Sequence, residues 1–374
     1  MHNLFGLIFL ILVSINSVFS QEFSTKKPLC DNCNRELSIR LESTSFLKNN
    51  EYFSDFTKGF TGIGLFIKPT IEYYLTDKTK INTGVYLLKY SGIDKFSQSI
   101  PIVTIEQKLV KNLDLVIGSI YGTLNHELKE PLYRFDRYYQ DNVEYGIQLL
   151  YNSSNIKSDF WINWERFIFK NDPFQEVFET GSVTDFKILS SGKFETHIPL
   201  QMVIFHKGGQ IDSSPDNEII LFNGMSGLRF DYKNAKSILS FEPSFFWYEN
   251  AGTEEPEDNH RLFEPGVGMY LNLKYKNKFL SSSVGYWSAD KFIAPKGEYL
   301  FMSISEKYNH VYEPNRKLLT AKLGLEHNIS ESIKIMLRSD GYYDLNKSDF
   351  SFSYGLYFLI DESFFVTKIK TKNQ

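Results

Sequence analysis

The densest collection of reactive side chains falls between Asn125 and Tyr139, where the chain reads Asn-His-Glu-Leu-Lys-Glu-Pro-Leu-Tyr-Arg-Phe-Asp-Arg-Tyr-Tyr. Arg134 and Arg137, set beside Tyr133 and Asp136, have the chemistry to hold a carboxylate, a phosphate or the face of a sugar. His126 and Glu130 add titratable groups to the same stretch. The plainer reading is a rim loop whose arginines pair with its own acids. A second set, Trp161, Asn163 and Glu165, occupies alternate positions of a strand-like segment, so ring, amide and carboxylate share one wall. Such a wall can contact a sugar, although an ordinary structural pairing is the commoner outcome. Neither Gly-x-Ser-x-Gly nor His-Glu-x-x-His occurs, although His126, His197 and His206 fall at strand ends or in loops. The acidic tip Glu254–Asp258 lacks calcium-loop spacing. The expectation is therefore no catalytic residue, no metal and no cofactor. Pore-lining or ligand contact falls to His126, Glu130, Tyr133, Arg134, Asp136, Arg137, Trp161, Asn163 and Glu165.

These residues need a scaffold, and almost the whole chain offers one periodicity: apolar and polar positions alternate. Near the C-terminus, Leu319, Ala321, Leu323 and Leu325 share one face. Ile333, Ile335 and Leu337 do the same in the next segment, as do Phe350, Phe352, Tyr354, Leu356, Phe358 and Ile360 in the last. The pattern recurs from Leu37–Leu41 through Ile198–Ile204 to Val267–Leu273. Short turns such as Lys111–Asn112 and Asn328–Ser332 alternate strictly with longer connections such as Gly122–Asn142 and Ser288–Asn315. No amphipathic helix, linker or fixed-length repeat interrupts this order.

Composition sets the limits. Of 374 residues, 42% are apolar and 16% aromatic, which favours strands and allows a sizeable core. A net charge of −4 leaves no basic surplus to neutralise phosphates, so nucleic acid is excluded as a partner. No internal apolar run reaches the ~18 residues of a membrane helix. The apolar block Leu4–Val13, followed by Val18 and Ser20, reads as an export signal over residues 1–20. Residues 21–34 then form a periplasmic segment, and residues 35–374 a single barrel domain. Cys30 and Cys33, the sole cysteines, suit a disulfide in an oxidising compartment better than redox chemistry.

An oily stripe on every strand must meet either a second sheet or lipid. The rhythm of turns gives about sixteen strands, within fourteen to eighteen, with both chain ends on the short-turn side. Closure also removes exposed sheet edges. Tyr74, Phe205, Trp247, Trp287 and Tyr343, placed near strand ends, read as interfacial girdles. On these features the chain resembles the porin-like outer-membrane β-barrels of Gram-negative bacteria. One departure is the polar tail that follows Phe364-Phe365-Val366, where such barrels often end on Phe.

The resemblance implies an all-β, closed antiparallel transmembrane β-barrel, an outer-membrane location, contact with outer-membrane lipid, and an architecture that admits homo-oligomers. It further implies a porin-like channel for small hydrophilic solutes, not an enzyme, with the Arg134/Arg137 loop as its constriction. The alternative is a plugged barrel that binds surface glycan or anchors a partner. A barrel hydrolase dependent on His126 comes third.

Overall fold

Alternating side chains force each segment into an extended ribbon with one oily face, and the ribbons close on one another. The computed structural model describes residues 23, 25–27, 29–30, 32–252, 265–308 and 310–369. The expected export signal at 1–20 and the acidic tip at 254–258 lie outside those residues. Among the described residues, seventeen antiparallel segments fill sixteen positions of one closed ring. β1 (Glu36–Glu51) pairs with β2 (Phe60–Thr76) on one side and with the last strand, β17 (Asp349–Lys368), on the other. The additional segment arises because β10 (Ile219–Gly227) and β11 (Arg229–Lys233), separated at Leu228, share one place. Both lie between β9 (Phe194–Gly208) and β12 (Ser237–Asn250).

The tail has a role in this closure. Phe364 and Phe365 pair with Ile39 and Ser38 of β1, so the final strand simply continues through the aromatic pair to Lys368. At the other end of the chain Cys30 and Cys33 are joined by a disulfide.

Lipid is the solvent of the outer face. Leu319, Leu323, Leu337 and Leu356 are 45%, 45%, 49% and 44% exposed, and all lie on the predicted oily stripes. The inner face carries buried charge, including Glu42, Glu72, Glu106, Asp159 and Asp340. The girdle expectation needs correction: Trp247 and Tyr343 point outward, but Trp287 and Tyr74 are buried. On its strand Trp287 has the parity opposite to Val284, which is 57% exposed; side-chain direction follows parity, not nearness to a strand end.

Two long connections turn into the lumen and fill it. Residues 121–143 join β5 (Leu113–Ile120) to β6 (Glu144–Asn152). They bring Phe135, Tyr138 and Tyr139 against Phe46, Phe66, Tyr86 and Tyr357 of the wall. Residues 291–314 join β14 (Leu280–Asp290) to β15 (Asn315–Asn328) and pack Phe292, Leu300 and Phe301 on Trp287 and Phe246. Each fully buried aromatic contributes about 1.5–3 kcal/mol relative to exposure, so this interior is a packed core.

Candidate active site

The inward loop does bring the predicted residues into the barrel, but it sends them to different walls. Glu130 accepts a hydrogen bond from Tyr342 at 2.6 Å and pairs with Lys322. Arg134 donates to Tyr299 of the other inward loop at 2.6 Å and lies over its ring. Asp136 accepts from Asn50 of β1 at 2.7 Å and from Tyr139. Arg137 pairs with Asp141 at 3.2 Å and with Glu165 of β7 (Ile156–Arg166) at 3.3 Å. Asn163 accepts from the Tyr145 backbone at 3.0 Å. These contacts hold a plug in place, and no single binding point collects them.

One group of the predicted residues does converge. The His126 ring lies between Asp159, 3.1 Å from Nδ1, and Glu144, 3.0 Å from Nε2. It stacks on Trp161 with centroids 3.6 Å apart, and Tyr133 donates to the other Glu144 oxygen at 2.8 Å. Trp161 in turn donates to Glu179 at 3.2 Å. Burial alone would lower the His126 pKa, but the two carboxylates outweigh it and push it up to about 9. At neutral pH His126 is then a cation with both nitrogens donating. Such a ring fastens the loop to the wall.

A second histidine cluster sits near the short turn at the end of β8 (Glu176–Ser191). His197 Nδ1 meets Asp185 at 2.5 Å, and Nε2 lies 3.2 Å from Glu195 and 3.8 Å from Asp231. Glu195, His197 and Asp231 are a donor set that a divalent cation could take, with Asp185 orienting the ring. Here Lys233 and Arg229 already pair with Glu195 and Asp231. The arrangement is a neutralised ion-pair network.

The third histidine faces outward. His206 continues the lipid-facing row of Leu200 and Met202, near the long-connection end of β9. Its Nδ1 lies 3.8 Å from the Glu218 carboxylate, a charge-pair distance longer than a hydrogen bond. Gly208 makes this approach feasible, since a Cβ there would come within 2.7 Å of the Glu218 side chain. Gln175 steadies the Glu218 loop by donating to the carbonyls of Asp216 and Asn217 at 2.8 and 3.1 Å. Beneath the imidazole lies an aromatic shelf: Phe178 stacks on His206 with centroids 4.5 Å apart, and Trp164 stacks on Phe178 at 5.2 Å. An imidazole 3.8 Å from a carboxylate, on an aromatic floor at the outer end of the wall, is placed where a base could act on water at the lipid boundary. In the sequence His206 stands out only as a histidine at a strand end, with no role assigned to it. The available signal was parity, because His206 interrupts an oily stripe.

Comparison with known proteins adds two findings. A family model described as lipid A 3'-O-deacylase-type matches residues 25–369. Among solved structures, the fold resembles a loop-deletion variant of OmpT, an outer-membrane protein of Vibrio cholerae (12% identity, TM-score 0.50, covering 87% of this chain and 99% of that one). It also resembles OccK11 (OpdR) of Pseudomonas aeruginosa (11% identity, TM-score 0.50, 90% and 99% covered). No curated protein matches. At such identities the structures establish the fold: an outer-membrane barrel of the porin-like architecture. The matched family is named for an enzymatic activity, which overturns the expectation that the chain is not an enzyme.

Proposed function

The chain belongs to the lipid A 3'-O-deacylase-type family, and we propose that it hydrolyses an acyl ester of a lipid of that class in the outer leaflet, with His206 as the base. The observation that carries this reading is the outward direction of the His206–Glu218 pair, since a lipid ester reaches a barrel from its oily side. His206 takes a proton from water as the oxygen adds to the ester carbonyl. The proton then passes to the departing sugar oxygen, leaving a free fatty acid and a hydroxyl. Glu218 orients the ring and stabilises the imidazolium that forms. Phe178 and Trp164 support the acyl chain.

His206→Ala, purified from outer membranes in detergent, should fold normally, judged by heat-modifiable gel migration. It should release fatty acid from purified lipid A about 10²–10⁴-fold more slowly than the parent. Unchanged release would end the assignment of His206. The passage of small hydrophilic solutes is the second reading, favoured by the charged vestibule of Arg40, Glu42, Lys68 and Glu72. Discrete conductance steps in planar bilayers, with no fatty acid release, would select it.

A further inference from the structure

The chain ahead of β1 enters the barrel from its short-turn end instead of hanging below it. Phe23 is 7% exposed and meets three rings edge-on: Phe135 and Tyr138 of the inward loop and Tyr357 of β17, with centroids 5.1, 5.0 and 5.3 Å away. Asn125 accepts from the Thr25 N–H at 2.9 Å, and Arg40 of β1 donates to the Thr25 carbonyl at 3.0 Å. Lys26 pairs with Asp159 of β7 at 2.7 Å, on the same carboxylate oxygen that meets His126. Lys27 reaches Asp361 of β17 at 2.9 Å. β7 and β17 stand nearly opposite each other in the ring, so two adjacent lysines tie facing walls.

Three cavities border this segment. Thr25 lines the charged vestibule of Arg40, Glu42, Lys68 and Glu72. Phe23, Thr25 and Lys27 wall a second space of about 200 Å³, and Phe23 borders a third of about 400 Å³. The segment therefore partitions the lower lumen, yet it is attached differently from the wall. Among the described residues, none ahead of Glu36 joins a ladder, whereas each wall strand pairs with neighbours on both sides. One aromatic seat and a few ion pairs hold it, and Lys27 and Asp361 are partly exposed. A segment held in this way opens at a lower free energy than the sheet does. The opening also has a defined limit. The Asn34 N–H bonds Asp77 at 2.9 Å, the Arg35 N–H bonds the Tyr74 carbonyl at 2.7 Å, and the Cys30–Cys33 disulfide closes the turn just before them.

We propose that Phe23, Thr25, Lys26, Lys27 and Leu29 form a strap that closes the lumen from the periplasmic side. Its release opens the lower cavities to small hydrophilic solutes while the inward loops stay packed. Thr44 marks the space beneath the strap: it lines the 200 Å³ cavity, is 1% exposed and bonds Tyr138 at 2.8 Å. The inward loops have anchors of their own, His126 on Glu144 and Arg316 on the Leu300 carbonyl, so they need not follow the strap. The strap is independent of the hydrolase reading, because His206 faces away from the lumen.

The test is thiol labelling. Both native cysteines are bonded to each other, so a single introduced cysteine reports alone. Thr44→Cys and, separately, Ser353→Cys are purified from outer membranes in detergent, and their reaction with a charged maleimide is timed. Ser353 is fully buried beside Lys48, opposite Asn50 near the long-connection end of β1, and away from the strap. The strap is released in each by Phe23→Asp with Lys27→Gln, and heat-modifiable migration checks that the barrel is intact. The expected result is Thr44→Cys labelled about tenfold faster after release, with Ser353→Cys unchanged. Should the double change lower the yield of folded barrel, Phe23→Ala adds no charge and should still accelerate Thr44→Cys severalfold. Labelling of Thr44→Cys at one rate with and without the strap would place the closure elsewhere. Acceleration at both positions would mean that the whole plug has loosened. Either result overturns the proposal.

Discussion

His126 lies flat on Trp161, with ring planes 15° apart, while its two nitrogens reach acids on two different strands. One side chain of the inward loop is thus fixed to β6 and β7 at once. Its burial is complete, so its charge is stabilised chiefly by Asp159 and Glu144. The loop's placement depends on that charge.

The first prediction concerns this latch. Its folded pKa of about 9 lies above the ordinary 6.5, so its stabilisation is fully present below pH 6.5 and is lost as pH rises through 9. The difference corresponds to about 3 kcal/mol. His126→Gln should free the loop at neutral pH, and the parent should free it in alkaline buffer. Limited proteolysis within residues 121–143 of the detergent-solubilised barrel reads both. Equal protection of parent and variant across the range would remove the latch.

A second prediction addresses the other inward loop. Arg316 is fully buried, donates to Asp344 at 2.5 Å, Glu313 at 2.9 Å and the Leu300 carbonyl at 2.9 Å, and lies 3.6 Å from the Phe56 ring centre. Arg316→Ala leaves Asp344 enclosed beside an empty space, a loss of about 3–5 kcal/mol. The folded form on a heat-modifiable gel should convert at a clearly lower temperature, whereas Lys317→Ala, one residue along and pointing outward, should not change it.

The wall was legible in the sequence because parity and turn length are local properties. Leu319 to Leu325 and Ile198 to Ile204 face outward as their alternation requires. The inward loop's residues were also recognisable by type, but their partners were not. His126 meets Glu144 and Asp159 across 18 and 33 residues, distances that periodicity does not encode. Arg134 and Arg137 were expected to share a constriction; they part because one reaches Tyr299 and the other Glu165. Membership of an enzyme family was not legible because no local catalytic motif occurs, and the approach of His206 to Glu218 joins the end of β9 to the connection before β10.

The third prediction separates position from fold at the outward site. A methyl group at residue 208 would come within 2.7 Å of the Glu218 Cγ and 3.2 Å of its Cβ, so the Glu218 side chain must shift. Gly208→Ala and Glu218→Gln should each slow fatty acid release about tenfold or more, less than loss of the base itself. Both should keep the parent's gel migration. If Gly208→Ala hydrolyses at the parental rate, Glu218 is not the orienting group.

The last prediction is a second pH effect within the plug. Glu298, at the start of the short helical turn Tyr299–Phe301, is buried, and burial, then Asp136 and Glu130, push its pKa up to about 8. Arg134 and Lys322 oppose the rise without cancelling it. At pH 7 the folded plug therefore holds a proton that the released loop gives up. By linkage, the plug loses stability steadily as pH climbs from about 4.5 to 8 and levels off above. Glu298→Gln keeps the neutral shape with no proton to lose, so its protection should be flat between pH 5 and 6.5, where the parent already declines and His126 does not yet titrate. Hydrogen exchange of the 291–314 amides between pH 5 and 8, corrected for intrinsic rates, measures the slope. A parent already flat over that range would show Glu298 to be ionised in place.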